Sequence, residues 1–407
     1  MFCKGEPILY SMGRSGTYPS GFSGRETGMN SPVPFHRPSI GKEEEQAVVA
    51  ALRAGALGGN GPITRRLQQH LADWLGVRQV LLTTSCTTAL EMAMMLLGLK
   101  PGDEVILPSY SFVSTANAII RAGGRPVFAD IDPDTYNLDV EAVEQAVSPR
   151  TRAVLLIHYG GQGCDMDRFQ ALAATHQLSL VEDAAQAFGA RYNACLLGTL
   201  GQMGAYSFHV TKNVVCGEGG AFVTDDEAIA RRAEIIWEKG TNRSAFLRGE
   251  VDKYSWFDVG GSFVLSDLLA AVVEVQVQKL DTIIALRRQR WERYEKELGP
   301  LAAAGKIRLH RVEVPSEYNY HLFAFRTLAV PQAALIQELR RRGVEATFHF
   351  IPLHTSPYGR KHFPDQPAQP HTDGVAASLV RLPLYPDLSV ENHDRVVEAM
   401  YEVFKGD

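Results

Sequence analysis

The chain has 407 residues, 45% hydrophobic and 21% charged, which excludes a mainly disordered chain, a collagen-like repeat and a disulfide scaffold. That length suggests two or three domains, or one large α/β domain with a smaller partner. The 41 basic and 46 acidic residues give a net charge of −5, so nucleic acid and anionic membranes are not expected partners, although a local basic pocket for a phosphorylated ligand fits that balance.

Residues 1–31 are rich in Gly and Ser and lack apolar periodicity, so they are expected to be a disordered extension, with the folded chain starting near Pro32. Leu67, Leu71, Trp74 and Leu75 then mark one helix face. A strand at 79–82 and a helix through Leu90, Met94 and Leu97 follow. After the turn at Pro101-Gly102-Asp103, strands at 104–107, 126–130, 153–158 and 178–182 alternate with helices at 114–122, 140–147 and 166–176. No stretch reaches the ~18 uncharged apolar residues of a membrane helix, so no membrane insertion is expected. Short strands at 205–209 and 221–224 precede helical patterns from about 265 to 298, free of Gly and Pro until Gly299. The last part reads as a strand at 320–326, a helix at 332–342 closed by Gly343, a strand at 345–350 and a final helix at 391–404. The expectation is α/β: a large domain (32–285) with a mostly parallel sheet covered on both faces, and a small α+β domain (286–407).

Ligands of such sheets bind at the carboxyl ends of the strands, and those ends are chemically loaded. Lys212 lies between an apolar strand, Ser207-Phe208-His209, and a turn at Gly217-Glu218-Gly219-Gly220 that lets the backbone approach a ligand. A lone lysine is usually a solvated surface residue, but one held in a pocket can have a lowered pKa and act as a nucleophilic amine. Asp183 ends a buried strand. It could cap a helix from Ala184 onward, or face the cationic ring nitrogen of a pyridoxal phosphate. The run Thr84-Ser85-Cys86-Thr87-Thr88 opens a helix after a strand, an arrangement suited to a phosphate, to which Ser207 could add a hydroxyl. Phe112 could stack on a planar ring or be plain core. No GxxxxGK[ST] loop is present, which disfavours nucleotide hydrolysis. The five cysteines (Cys3, Cys86, Cys164, Cys195, Cys216) are odd in number and form no CxxC pair. With no secretory signal visible, a reduced cytoplasmic setting without a metal or disulfide framework is expected.

Together these elements meet the needs of pyridoxal 5'-phosphate, and their motifs resemble a known family. Pro-Ser-Tyr-Ser-Phe-Val-Ser-Thr-Ala-Asn-Ala at 108–118, Glu-Asp-Ala-Ala-Gln at 182–186, Ser-Phe-His-Val-Thr-Lys-Asn at 207–213 and Gly-Glu-Gly-Gly at 217–220 resemble the DegT/DnrJ/EryC1/StrS sugar aminotransferases, of the type I pyridoxal phosphate fold. The resemblance runs from about Pro34 to Phe404. It implies that Lys212 bonds the cofactor and then shuttles the proton, that Asp183 pairs with the ring nitrogen, and that Phe112 stacks on the ring. It further implies that Gln186 bonds near the ring oxygen and that Cys86, Thr87 and Ser207 hold the phosphate. An asparagine from the partner subunit reaches the phosphate in many members; Ser262 stands at that position here. Arg243 and His354 are the substrate contacts it suggests, with a surface arginine and a small-domain core histidine as the equal alternative, and a homodimer with sites at the interface is the assembly it implies.

Segments 238–244, 251–254 and 349–354 further resemble members that move an amino group from L-glutamate to the C4 ketone of a nucleotide-linked 4-oxo-6-deoxy sugar, for surface polysaccharide. Three rivals remain: a related dehydratase, which carries histidine where Lys212 stands; an aminotransferase for another nucleotide sugar; and a non-catalytic regulator, disfavoured by the intact Lys212, Asp183 and Gln186.

Overall fold

The computed structural model describes residues 31–55, 57–312 and 315–405. The extension expected at 1–31 lies outside them except for Ser31. The strands are β1 (Gln79–Thr83), β2 (Glu104–Pro108), β3 (Arg125–Ala129), β4 (Thr151–Ile157), β5 (Ser179–Asp183), β6 (Arg191–Tyr192), β7 (Cys195–Leu196), β8 (Met203–Ser207), β9 (Gly220–Thr224), β10 (Ile307–Leu309), β11 (Ser316–Glu317), β12 (Phe323–Thr327) and β13 (Leu379–Leu382).

Seven strands form the main sheet in the order β1-β9-β8-β5-β4-β2-β3. Every neighbouring pair from β8 to β3 is parallel, and β9 alone runs antiparallel to both of its neighbours. The short runs are apolar throughout because both faces are covered, and the period of two sends alternate residues to opposite cores. Val80, Leu82, Ile106, Val154 and Leu156 enter one core; Leu81, Val105, Leu107, Ala153 and Leu155 enter the other. This is the expected α/β architecture. Because β9 is reversed, its first residue, Gly220, lies at the same edge as the last residues of the parallel strands, opposite Thr83 and Ser207.

A second sheet, β10-β12-β13, is antiparallel. Its core joins Phe323, Phe325, Val380 and Leu382 to Trp291, Tyr294 and Leu298 of the helix Leu280–Ala303, and it also takes in Val33 from the start of the described chain. Three details differ from the sequence expectation. The helical patterns form two helices, Asp267–Gln278 and Leu280–Ala303, and the second runs past the expected end, carrying Gly299 and Pro300 in its last turns. The strand expected from 320 starts at Phe323, because Tyr320 sits at a left-handed φ of 54°, which a pleated strand cannot hold. Residues 345–350 are not a strand. Only Thr347 bridges, to Arg381, and β13 takes the sheet position beside β12. Among the described residues no helix is long and apolar enough to cross a membrane.

Candidate active site

A cavity of about 460 Å³ opens where the strand ends of the main sheet meet the second sheet, within the usual size of a small-molecule site. Cys86, Thr87, Phe112, Asp183, Gln186, Ser207 and Lys212 all line it.

The β8–β9 connection carries Lys212. It is closed at its base by backbone bonds from Phe208 to Gly219 (2.8 Å), Val210 to Gly217 (2.9 Å) and Cys216 to Phe208 (2.8 Å). Asn213, next to the lysine, donates to the Asn319 carbonyl at 2.8 Å and so ties the loop to the segment before β12. Loss of water around the Lys212 ammonium pulls its pKa down, against the pull of Cys86 and Asp183.

Asp183 is the last residue of β5, where the pleat separates two neighbouring carboxylates. Glu182 turns away from the cavity and accepts backbone N–H groups of Gly198 (2.7 Å), Leu200 (2.7 Å) and Gly201 (2.5 Å), while facing His158 at 2.8 Å. Asp183 turns into the cavity. It accepts from the Ala185 N–H at 3.1 Å and the Thr115 hydroxyl at 3.3 Å. Burial raises its pKa, opposed by the Ala185 bond and the Lys212 charge. Gln186 gives its side-chain oxygen to the Gly160 N–H at 2.7 Å, which leaves its NH₂ end for a ligand.

The helix Cys86–Leu97 starts against this edge. Ser85 caps it, accepting from the Thr88 N–H at 3.2 Å, and the Thr87 hydroxyl meets Ser114 at 2.8 Å. A methyl group on Gly220 would lie 2.4 Å from the Cys86 nitrogen and 2.5 Å from the Ser85 carbonyl carbon. Glycine there is what lets β9 pass under the free amides of the helix start. Phe112 is 61% exposed at the cavity mouth, far more than a core phenylalanine.

The opposite wall was not read from the sequence. Arg381 of β13, Arg287 of the helix Leu280–Ala303, His321 and His349 line it, joined by Phe35 and His36 from the start of the described chain. A signal existed for both arginines: each is a charge inside an apolar pattern, Leu379-Val380-Arg381-Leu382 and Ile283-Arg287-Trp291-Tyr294. Arg287 donates to the backbone carbonyls of Tyr320 (2.8 Å) and His321.

Three expected site residues lie outside the cavity of their own chain. Ser262 is exposed and bridges to Glu238. Arg243 pairs with Glu238, which also accepts from Ser244 at 3.1 Å. His354 is bonded to Ser109 (2.7 Å) and lies 3.4 Å from Asp373.

Residues 38–401 match the profile of the DegT/DnrJ/EryC1/StrS aminotransferase family. The chain belongs to this family. Its relatives include the spore coat polysaccharide biosynthesis protein SpsC of Bacillus subtilis (strain 168), 35% identical over 383 residues, covering 92% of this chain and 97% of SpsC. Among solved structures, the aminotransferase TlmJ from Streptoalloteichus hindustanus is 32% identical with a TM-score of 0.84, covering 92% of this chain and 99% of its own. DesV of S. venezuelae is 31% identical, also with a TM-score of 0.84, covering 92% and 98%. The fold is that of the pyridoxal phosphate aminotransferases, the chain is a sugar aminotransferase of this family, and its cofactor is pyridoxal 5'-phosphate. The residues present fit that group: a capped helix start lined with hydroxyls and cleared by Gly220 for a phosphate, a buried carboxylate for a ring nitrogen, and a lysine between them.

Proposed function

We propose that this chain transfers the amino group of L-glutamate to the C4 ketone of a nucleotide-linked 4-oxo-6-deoxy sugar, converting dTDP-4-oxo-6-deoxyglucose to dTDP-4-amino-4,6-dideoxygalactose. The observation that carries the reading is the pairing of two walls across one cavity. One brings Lys212, Asp183, Gln186 and the hydroxyl-lined helix start together, and the other presents the partly buried Arg381, with which no carboxylate pairs among the described residues. The bound cofactor supplies an electron sink for the charge that develops at the donor's α-carbon.

The chain's own residues do the rest. Cys86, Thr87 and Ser207 hold the phosphate with backbone and side-chain donors, aided by the helix dipole. Asp183 would keep a proton on the ring nitrogen. The Gln186 NH₂ group would donate near the ring oxygen, and Phe112 would stack on the ring. Lys212 bonds the cofactor in the resting enzyme. With the cofactor bound, the free Nζ of Lys212 would take the donor's α-proton and hold it for return, and it would act in the opposite sense toward the sugar ketone. Its lowered pKa keeps more of the amine in the free-base form this needs. Arg381 receives a carboxylate of the donor.

Arg243, His354 and the sugar cleft are assigned through the resemblance of segments 238–244 and 349–354. A homodimer is part of the proposal. Trp256, Phe257 and Val259 are 78%, 65% and 67% exposed in one stretch, an apolar surface suited to a second copy. That copy would carry Ser262 and Arg243 toward the neighbouring site.

The test is the visible absorbance of the purified protein. A yellow band that fades with L-glutamate and returns with dTDP-4-oxo-6-deoxyglucose, releasing the 4-amino sugar nucleotide, supports the proposal. Fading restored only by another oxo-sugar nucleotide moves the substrate. A protein that stays colourless with added pyridoxal phosphate overturns the proposal.

A further inference from the structure

Arg381 is unusual among the charged groups of the cavity. It is partly buried in the cavity wall, and the water it has lost pulls its pKa down. Among the described residues its Nε has no hydrogen-bond partner, and its side-chain partner is the His349 ring, through Nη1 and Nε2. The Phe35 ring lies over the guanidinium, 4.7 Å from centroid to carbon. Neither partner carries a negative charge.

The bond fixes the histidine's protons. A guanidinium has only donors, so Nε2 must offer its lone pair, and the ring's one proton sits on Nδ1. Nδ1 faces the Tyr159 hydroxyl oxygen at 3.3 Å and donates to it. The ring cannot easily turn away from this role. Phe350 stacks on it at 4.1 Å and 7°, Tyr159 meets it edge-on at 5.9 Å, and Tyr110 donates to the His349 carbonyl. The backbone aims it as well. Thr347 exchanges both backbone bonds with Arg381, at 3.2 and 2.7 Å. His349 is two residues further along this extended segment, so its side chain leaves on the same face as that of Thr347.

We propose that His349 is the positioning residue for the carboxylate of the amino donor: as a neutral acceptor it anchors Arg381 without neutralising it, so the whole cationic charge is kept for the ligand. This rests on the transaminase reading above. An aspartate or glutamate at 349 would anchor the guanidinium at least as firmly, but would satisfy its charge before any donor arrived. Burial, with Arg381 and Lys212 nearby, holds the His349 pKa well below its usual value, so the ring stays an acceptor.

Three substitutions separate holding from charge: His349→Gln keeps a neutral acceptor, His349→Leu removes it, and His349→Glu keeps the acceptor and adds a negative charge. The readout is the L-glutamate concentration that half-saturates fading of the yellow band in a single turnover, at equal band intensity. His349→Gln is expected within about 3-fold of the parent. His349→Leu should need about 10–100-fold more glutamate, the range for a hydrogen bond to a charged group, and His349→Glu at least as much despite an unchanged melting temperature. If His349→Glu matches the parent, or if the glutamate dependence of all three is unchanged, the assignment is overturned. A parent enzyme that ignores L-glutamate overturns the transaminase reading itself.

Discussion

On the main-sheet side of the cavity, Lys212 faces Asp183, and each charge lies within reach of its opposite. On the second-sheet side, Arg287 is spent on two backbone carbonyls and Arg381 on a neutral ring. The first wall is electrostatically closed and can be built without a ligand. The second carries positive charge, on buried Arg287 and partly buried Arg381, that no carboxylate of the described residues offsets, although an unpaired charge drawn out of water is costly. The contrast teaches where each wall gets its specificity: the sheet wall by shape and hydrogen bonding to a fixed cofactor, the other by a standing demand for an anion.

The sharpest way to break this contrast is at its closed end. Lys212→Ala is expected to lower turnover by more than about 10³-fold, as removal of both nucleophile and proton carrier requires; single-turnover transamination at near-parental rate would refute the role. Asp183→Asn keeps an oxygen for the Ala185 N–H but removes the charge, and kcat/KM should fall by about 10²-fold or more with cofactor still bound.

Arg381→Met tests the open wall. The donor's kcat/KM is expected to drop by about 10²-fold, the loss for truncating one partner of a desolvated charge pair. The ligand-free protein should melt at the same temperature or higher, because an unpaired charge has left the interior. A lower melting temperature without any donor effect would make Arg381 structural. Gly220→Ala should cost about 1–3 kcal/mol by forcing β9 from the helix start, and it should weaken pyridoxal phosphate binding in a fluorescence titration.

The smallest effect concerns pH. The Lys212 pKa is lowered in the fold, so between that value and the ordinary ~10.4 the unfolded chain binds more protons. Stability from this group therefore rises with pH across that window. Lys212→Met should raise the melting temperature of the cofactor-free protein most below the window, with the gain shrinking as pH climbs toward 10.

The closed wall was legible in the sequence and the open wall was not, for a physical reason. Asp183, Lys212 and the 84–88 hydroxyl run sit at strand ends in an α/β alternation, and the alternation itself says that strand ends face ligands. Arg381 and His349 come from β13 and from an extended segment with a single bridge. A four-residue strand with three apolar residues and one isolated pairing carry almost no periodic signal, and the register that brings them together is purely tertiary. The same weakness made 345–350 look like a strand and hid β10 and β13. Tyr320 misled for a different cause: its side chain is strand-like, while its left-handed backbone, beside the tie of Asn213 to Asn319, is not.

The chain segment at 33–36 has a consequence for the order of assembly. Val33 sits in the core of the second sheet and bonds Gly343 at 2.8 Å; Phe35 donates to Glu345 at 3.0 Å, 310 positions away; His36 reaches the Val210 carbonyl, two residues before Lys212. During synthesis this segment emerges well before two of its three partners, Gly343 and Glu345. The segment that reaches the lysine loop is therefore itself anchored only once those residues are made, so a nascent chain short of them carries every cofactor residue without the finished chamber around them.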